Sequence, residues 1–472
     1  MSVSIAWFRR DLRVSDNQML RTAIDAADEV VPLFVLDDTF WKPAGPNRRW
    51  FLSGALESLN EALDGRLVVR HGDPANVIPA LIGETSATYV FRAQDVGVAG
   101  RERDANVADA LADSDVELVE ADSPFAVPAG TLHTGSGSPF KVYTPYLEAW
   151  RRHDPGRPMR APSSVNVPDG LESDGIPRCP DVSADLPEPG EVAARTALDR
   201  FLRHDVDDYA TTRDRPADDR TSRLSPYLHF GCVHPRQILA RLDTRMKGHA
   251  VFATELAWRD FYGDVLHHTP ESAWSSWNES MAKIRLDTGK RADEHFDAWC
   301  HGETGFPIVD AGMRQLLGEG WMHNRLRMIT ASFLVKDLHV DWTRGARYFL
   351  QQLVDGDLSS NNHGWQWVAG TGTDAAPYFR IFNPTLQSTK FDPDGAYIRR
   401  WVPELADVEA KYVHEPSKHP DGVPNGYPAP IIDHAAEREE ALRRGALWSL
   451  TPSAGNGPPG GRRQATTTSS WS

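Results

Sequence analysis

Short apolar runs alternate with amphipathic segments through residues 4–119, and this alternation constrains the fold more than any other feature. The apolar runs are predicted strands: Ser4–Phe8, Val30–Leu36, Leu67–Arg70, Thr88–Phe91 and Val116–Val119. The segments between them have helical periodicity: Asn47–Leu63, Ala75–Ile82 and Arg101–Ala112. Strands and helices that alternate at this spacing predict a parallel, doubly wound sheet. No Gly-x-Gly-x-x-Gly follows the first strand, so the pattern does not indicate an ordinary dinucleotide site there.

The composition changes along the 472 residues and divides the chain into parts. Residues 1–135 hold the α/β pattern, which is typical of one domain. Residues 136–190 are predicted to be an interdomain linker, because the stretch from about Asp154 to Pro189 is rich in Pro, Gly, Ser and Asp. Residues 191–450 show helical patterns and no strand signals, whereas residues 451–472 predict a disordered tail. The predicted fold class is therefore α/β followed by all-α.

The chain has a formal net charge of −15, which taken alone disfavours a nucleic-acid partner because binding DNA means neutralising phosphates. Arginines cluster in the second half, however, and a local basic patch is enough to contact DNA. The sequence has neither a run of eighteen apolar residues nor a signal peptide, so we expect a soluble, cytoplasmic protein without membrane contact. The spacing of Cys179, Cys232 and Cys300 fits neither a metal site nor a disulfide set and predicts reduced thiols.

Polar and aromatic residues are densest in Asp355–Trp367, which contains two carboxylates, three amides and two indoles. Such groups are costly to bury unless each has a partner. In Thr221–Ser225, hydroxyls and amides come where a helix is predicted to begin, which favours a phosphate. Glu255–Tyr262 places Glu, Trp, Arg and Tyr on one helical face, and Trp321–Met328 predicts a helix with a basic side. Each string alone is typical of capping or core packing, but together they predict a binding site.

Five strings in this order resemble those of the DNA photolyase/cryptochrome family, and of its class I cyclobutane pyrimidine dimer photolyases in particular. They are Trp7–Asn17 (WFRRDLRVSDN), Thr221–Ser225 (TSRLS), Glu255–Tyr262, Trp321–Met328 and Asp355–Trp367. The resemblance covers roughly residues 1–440. It implies a helical domain that binds FAD, an α/β domain that carries a light-harvesting pigment, and UV-damaged DNA as the partner. The activity that it implies is light-driven splitting of dimers by electron transfer from excited, reduced FAD to a flipped-out lesion.

The same resemblance implies a set of residues that hold FAD. The set comprises Tyr209, Thr221, Ser222, Arg223, Leu224, Ser225, Arg259, Tyr262, Asn324, Arg327, Asp355, Gly356, Asp357 and Asn361. Thr221–Ser225 corresponds to the pyrophosphate loop, and Asp355 is expected to pair with Arg327 beside the isoalloxazine. Trp342 and Trp365 match the first two members of the family's electron-carrying tryptophan chain, while a third is not found at the aligned position.

The catalytic residues that the resemblance implies surround the lesion. They are Glu255, Trp258, Asn324, Met328, Asn361 and Trp367. Glu255 is expected to hydrogen-bond the pyrimidines, and Trp258 and Trp367 to form the two walls of the pocket. DNA contacts are expected from Arg213, Arg325, Arg380 and Lys390, besides Glu255 and Trp258.

Two alternatives to a dimer photolyase are a cryptochrome photoreceptor and a (6-4) photolyase. The (6-4) enzymes carry a catalytic histidine pair where this chain has only His323 before Asn324, and Met328 matches the dimer enzymes. Asn361 occupies the position near flavin N5 where plant cryptochromes have Asp and insect ones Cys. These residues favour the dimer photolyase.

The pigment of the first domain is predicted to be a deazaflavin, with methenyltetrahydrofolate as the alternative. The Gly-Arg-x-Arg-Asp pattern that contains Arg103, with Arg48 upstream, is nearer to the members that use a deazaflavin. We expect the protein to act as a monomer.

Overall fold

The first domain is built on one sheet of five strands. The structure, a computed structural model, describes residues 1–178, 181–279, 281–377 and 380–449. The strands are β1 Val3–Phe8, β2 Glu29–Leu36, β3 Val68–His71, β4 Tyr89–Ala93 and β5 Glu117–Asp122. All four pairings are parallel, in the order β3-β2-β1-β4-β5, so the predicted doubly wound sheet is confirmed. The order reverses between β1 and β4, and a crevice opens at such a point, beyond the carboxyl ends of the strands.

Five helices accompany these strands: α1 Gln18–Ala26, α2 Asp38–Trp41, α3 Pro46–Ala62, α4 Pro74–Thr85 and α5 Val98–Leu111. Short polar side chains start several of them. Asn17 caps α1 and Asp73 caps α4, each by accepting a hydrogen bond from a backbone N–H of the first turn. β1 is buried along its whole length, whereas β5 is exposed or half-buried because it lies at the edge of the sheet. The prediction of a buried strand at Val116–Val119 was therefore wrong about burial.

The second half of the described chain is helical. Its helices are α6 Tyr143–Arg152, α7 Glu191–His204, α8 Tyr209–Thr212, α9 Ser225–Phe230, α10 Pro235–Leu239, α11 Lys247–His268, α12 Lys290–His301, α13 Pro307–Glu319, α14 Asn324–Ser332, α15 Trp342–Gln352, α16 Leu358–Ala369, α17 Pro384–Phe391, α18 Ala396–Trp401, α19 Ala410–Val413 and α20 His434–Ser449. A π-helical turn, Phe333–Asp337, follows α14 directly. A buried core around Trp299, Leu326, Phe349 and Trp365 joins α12, α14, α15 and α16.

The predicted linker contains a helix that sequence periodicity did not reveal. α6 begins at Tyr143 and packs against α11, where the Tyr143 hydroxyl donates to Thr254 O at 2.8 Å and the Trp150 indole donates to Asp260 Oδ2 at 2.8 Å. Cys232 and Cys300 are free and buried, as expected of reduced thiols. Cys179 and the predicted tail, residues 451–472, lie outside the described residues.

The two domains meet at the loop that follows β1. Leu12 N donates to Phe230 O at 3.1 Å, and the Arg13 guanidinium donates to Gly231 O at 3.2 Å. Gly231 has φ +68°, and a Cβ there would collide with the Arg10 carbonyl, so only glycine fits this contact. A second contact joins α3 to the end of α15, where Asn47 Nδ2 donates to Gln352 O at 2.6 Å. The loop after β1 and the start of α3 therefore lie against the helical domain.

Candidate active site

The string Asp355–Trp367 forms the start and body of α16. Asp357 caps this helix: its carboxylate accepts from Ser360 N at 2.9 Å and from Ser359 Oγ at 2.5 Å. Arg10, from the first domain, forms an ion pair with the same carboxylate. Burial opposes the charge of Asp357, but the Arg10 guanidinium and the nearby His229 keep the pKa of Asp357 well below its ordinary value. The site therefore contains a fixed negative charge that is held across the domain boundary.

Asp355 lies under α14, where the Arg327 guanidinium donates to its Oδ2 at 2.8 Å. This is the ion pair that the sequence predicts. Arg327 also donates to Met322 O at 2.8 Å, and its guanidinium carbon lies 6.0 Å from the centre of the Trp321 ring. Asp355 Oδ1 is buried and has no hydrogen-bond partner among the described residues. A buried carboxylate oxygen without a donor points to a ligand that supplies one.

Thr221–Ser225 approaches the same indole from the other side. Trp321 Nε1 donates to Ser225 Oγ at 3.1 Å, and Arg223 lies over the Trp321 ring at 4.4 Å. Arg223 has φ +49°, and ion pairs to Asp219 and Glu319 hold its side chain. Thr221 Oγ1 is buried and has no partner among the described residues. The predicted pyrophosphate loop thus adjoins the Arg327–Asp355 pair and keeps one hydroxyl for a ligand.

Tyr209, Ser222 and Leu224 take supporting positions around this loop. Tyr209 is buried among the rings of Phe201 and Phe252, while Leu224 is buried at the start of α9. Ser222 Oγ accepts from Leu224 N at 3.4 Å. These contacts shape the loop and leave Thr221 as its unpartnered polar side chain among the described residues.

The predicted face of α11 presents Glu255, Trp258, Arg259 and Tyr262. Trp258 stacks on Tyr143 with the ring centres 3.5 Å apart and the planes at 10°. Tyr262 lies 5.4 Å from Trp258 and stacks on His363 of α16 at 5.5 Å. A continuous row of rings therefore leads from Trp258 to α16, the helix that carries Asn361.

Glu255 and Arg259 differ in their partners. Arg213 donates to Glu255 Oε1 at 2.6 Å, so the predicted lesion contact and a predicted DNA contact form one ion pair. Burial raises the pKa of Glu255 and the adjacent Arg213 lowers it, with burial the larger effect. Arg259 points away from this pair and donates to Pro124 O at 2.7 Å and to Leu228 O at 3.1 Å.

Among the described residues, only the NH2 group of the Asn361 side chain has hydrogen-bond partners. Its Nδ2 donates to Ala346 O at 3.1 Å and to Asn362 Oδ1 at 2.8 Å. Among the described residues none donates to Asn361 Oδ1, which leaves an acceptor available to a ligand. Met328 and Trp367 are half-buried, and Asn324 is exposed at the first turn of α14.

His323 caps α14, since its Nδ1 accepts from Arg325 N at 3.1 Å. It is 2% exposed, and burial lowers its pKa to about 3, so it is neutral at physiological pH. A neutral histidine whose ring nitrogen is used in a helix cap does not supply protons readily. The one histidine of this helix therefore has a structural role.

The four basic residues predicted to contact DNA are not equivalent. Arg380 and Lys390 are exposed. Arg325 is 7% exposed, pairs with Asp214 at 2.8 Å and lies 4.3 Å from the centre of the Phe391 ring. Arg213 binds Glu255, so Arg213 and Arg325 are each paired with a carboxylate, and their contact with DNA stays a prediction.

Trp342 and Trp365 are both buried. The Trp365 ring lies 5.0 Å from Phe349 and 6.0 Å from Trp299, and the Trp342 indole donates to Ser276 Oγ at 3.3 Å. The two tryptophans thus belong to the aromatic core behind α16.

The two arginines predicted to bind the pigment lie in different places. Arg103 is sandwiched between the rings of Trp7 and Phe40, at 5.1 and 5.0 Å, and it pairs with Asp95 and Asp104 at the carboxyl edge of the sheet. Arg48 instead lies beside Gly356, since a Cβ on that glycine would be 3.4 Å from Arg48 Cδ. Sequence reasoning also missed Arg10 and Tyr143, whose partners are more than one hundred residues away in the chain and leave no local signal.

The polar set of this site fits a flavin dinucleotide. Asp355 Oδ1, Thr221 Oγ1 and Arg48 Nε are buried without partners, and they comprise an acceptor, a hydroxyl and a cationic donor. A flavin ring with N–H and carbonyl groups, joined to a pyrophosphate, has the groups that such atoms bind. The part of the chain described by the structure contains no cluster of His, Cys, Asp and Glu suited to a metal ion. None of its helices is both long and apolar enough to span a bilayer.

Comparisons with known proteins agree with this geometry. The family described as "DNA photolyase" matches residues 4–163, and "FAD binding domain of DNA photolyase" matches residues 252–446. The chain is 43% identical over 460 residues to a deoxyribodipyrimidine photo-lyase of Streptomyces griseus, covering 95% of this chain and all of that protein.

Two solved structures are similar over nearly the whole chain. The bacterial class III photolyase of Agrobacterium tumefaciens has a TM-score of 0.90 and 38% identity, covering 95% of this chain and 98% of that one. The archaeal photolyase of Sulfolobus tokodaii, which contains two FAD molecules, has a TM-score of 0.83 and 30% identity, covering 95% of this chain and all of that one. The likeness to a class III structure supports the family and not the class I assignment. The chain belongs to the DNA photolyase family.

Proposed function

We propose that this protein repairs cyclobutane pyrimidine dimers in DNA under light, with FAD as its cofactor. The observation that carries this proposal is the arrangement of α11 and α16. Trp258 stacks on Tyr143 in an aromatic row that leads to α16, and the polar site there has a buried acceptor and buried donors without a partner among the described residues.

The residues that would hold FAD are those around Trp321 and Asp357. Thr221–Ser225 would bind the phosphates, Asp355 and Arg327 would border the flavin ring, and Asn361 Oδ1 would accept a hydrogen bond from it. Bound and reduced FAD supplies, on excitation, the electron that opens the cyclobutane ring and then takes it back. The protein's own contribution is to bind both partners in a fixed geometry and to exclude water.

Trp258 would hold the flipped lesion by stacking. Tyr143 covers one face of the indole, so one pyrimidine stacks on the other face, and Trp367 provides the opposite wall. Glu255 would accept hydrogen bonds from the bases, and Arg213 fixes the direction of its carboxylate. The lesion is already poorly stacked in the duplex, which lowers the cost of flipping it out.

The buried His323 favours cyclobutane dimers over (6-4) products. A (6-4) photolyase needs a histidine that transfers a proton, whereas the neutral His323 is used to cap α14. Met328 favours the same substrate because it matches the dimer enzymes, and Asn361 favours a repair enzyme over a cryptochrome.

The proposal also covers the light-harvesting pigment, the oligomeric state and the cellular location. Arg103, which pairs with Asp95 at the carboxyl edge of the sheet, would contact the pigment of this domain, and we propose a deazaflavin as that pigment. The second FAD of the Sulfolobus tokodaii structure makes another flavin the competing outcome. Because the proposed site lies within one chain, we expect a monomer. We also expect the protein to act in the cytoplasm.

Illumination of an oligonucleotide with one thymine dimer tests the function. Purified protein reduced under blue light should restore thymine absorbance, whereas a dark sample and an oligonucleotide with a (6-4) product should not change. Extraction of the chromophores and their spectra should give FAD and a deazaflavin. Protein that binds FAD but leaves the dimer intact would refute the proposed repair activity.

A further inference from the structure

Two arginines of the α/β domain reach the site that the helical domain builds. Arg10 follows β1 and pairs with Asp357, the cap of α16. Arg48 stands in the first turn of α3 and lies beside Gly356, between the two carboxylates of the site. The start of α3 is fixed against the end of α15 by the bond from Asn47 to Gln352 O. Both guanidiniums are therefore positioned by the packing of one domain on the other.

Each of the two carboxylates of the site is paired with an arginine other than Arg48. Asp357 is matched by Arg10 and Asp355 by Arg327. Among the described residues, Arg48 has no carboxylate partner, and its Nε is buried without a hydrogen bond. His229, which lies 3.8 Å from Asp357, adds no charge at neutral pH because burial and the neighbouring Arg10 lower its pKa to about 4. The Arg48 guanidinium beside Gly356 therefore has no carboxylate of its own among the described residues, since Asp357, which raises its pKa, is paired with Arg10.

Burial and repulsion from Arg10 lower the pKa of Arg48 to about 10, although Asp357 raises it. A guanidinium with this value is still charged at neutral pH, and a buried charge is costly unless it has a counter-charge. The missing counter-charge is therefore expected to come from a bound anion.

We propose that Arg48, supplied by the α/β domain and lying beside the Arg10–Asp357 ion pair, is a positive charge that favours the negatively charged, reduced form of the bound flavin. The inference rests on the proposed function, in which Gly356 and its neighbours border the flavin ring. An oxidised flavin ring is neutral, whereas the fully reduced ring carries a negative charge at neutral pH, and charge near the ring sets its redox equilibrium. The photolyase reaction starts from the reduced form, so this charge would stabilise the cofactor in the form that the reaction uses.

Arg48 is a positioning residue in this account, and its test is the reduction potential of the bound FAD. Replacing Arg48 by Met removes the charge and keeps most of the stem. We expect the affinity for reduced FAD, relative to oxidised FAD, to fall about tenfold. That ratio corresponds to a potential about 30 mV more negative for a two-electron couple.

Two variants control the measurement. Arg48→Lys keeps the charge and should keep the potential near that of the parent. Arg49→Met removes an equal charge at the next residue, but the Arg49 side chain lies over Trp41 at 5.7 Å, so the potential should not change. If Arg48→Met does not fold, Arg48→Gln serves as the neutral variant.

The possible results distinguish a failure of this inference from a failure of the proposed function. An unchanged potential in Arg48→Met, or equal losses of affinity for both forms of FAD, would overturn the inference while dimer repair by the parent protein stands. An equal shift in Arg48→Lys and Arg48→Met would also overturn it, because the charge would then not be the cause. A parent protein that takes up no FAD would overturn both the inference and the proposed function.

Discussion

Removing the Trp258 indole should weaken binding to damaged DNA by a predictable amount. Tyr143 covers one face of the ring at 3.5 Å, so a single face remains for a base. One base stacked on an aromatic ring contributes about 1–3 kcal/mol, and Trp258→Ala should therefore raise the Kd for dimer-containing DNA roughly 5- to 150-fold. The loss of the contact with Tyr143 should also lower the free energy of unfolding by about 1 kcal/mol.

Fluorescence anisotropy with labelled duplexes, with and without one dimer, measures this effect. Affinity for the undamaged duplex and the FAD content should stay close to those of the parent, because Trp258 is proposed to contact the lesion and Tyr262 is the one proposed FAD residue whose ring lies beside it. Trp274→Ala is the matched control, since Trp274 is 40% exposed and packs against Arg347 instead. An unchanged Kd for the damaged duplex in a folded Trp258→Ala variant would refute the stacking role.

Three further predictions concern the flavin, the DNA and a buried lysine. Asn361→Asp replaces an amide that we propose lies near the flavin by a group that can protonate, so we expect the flavin to accumulate in its one-electron-reduced form on illumination; spectra identical to the parent's would contradict this. Lys390→Ala should reduce the slope of log K against log salt for DNA binding by about 1, whereas Lys411→Ala, in which an ion pair to Glu409 is lost, should leave it unchanged. Lys336 is fully buried and donates to Ala369 O, and burial lowers its pKa to about 7, so the unfolded chain binds this proton more tightly. The unfolding free energy should then rise between about pH 7 and the ordinary lysine pKa near 10, and Lys336→Met should flatten that rise in pH-dependent melting curves; the same slope in both proteins would refute the assignment.

The sheet was predictable because each of its strands is a local apolar run. Burial at β5 was not, since the same apolar pattern serves an internal strand and an edge strand, and only the strand order distinguishes them. The helix Tyr143–Arg152 was missed because a composition rich in Pro and Gly nearby hid its aromatic face, which is buried against α11.

In the site, too, residues in local motifs could be predicted, whereas contacts between residues far apart in the chain could not. The pair of Arg327 and Asp355 was predicted by resemblance to a family and has the expected geometry. Sequence could not show that Arg325 would be neutralised by Asp214, because the two are 111 residues apart. The same holds for Arg48, whose neighbours belong to the other domain and whose position depends on how α3 meets α15.

The collision that any side chain at Gly231 would cause with the Arg10 carbonyl has a consequence for protein engineering. A chimera that joins this helical half to the α/β half of a relative would have the relative's loop after β1 in contact with Gly231. Unless the donor loop brings an arginine to Asp357 and leaves room above Gly231, the cap of α16 would lose its counter-ion. Exchange of α/β halves between relatives should therefore succeed only when this loop and the start of α3 are kept with the helical half.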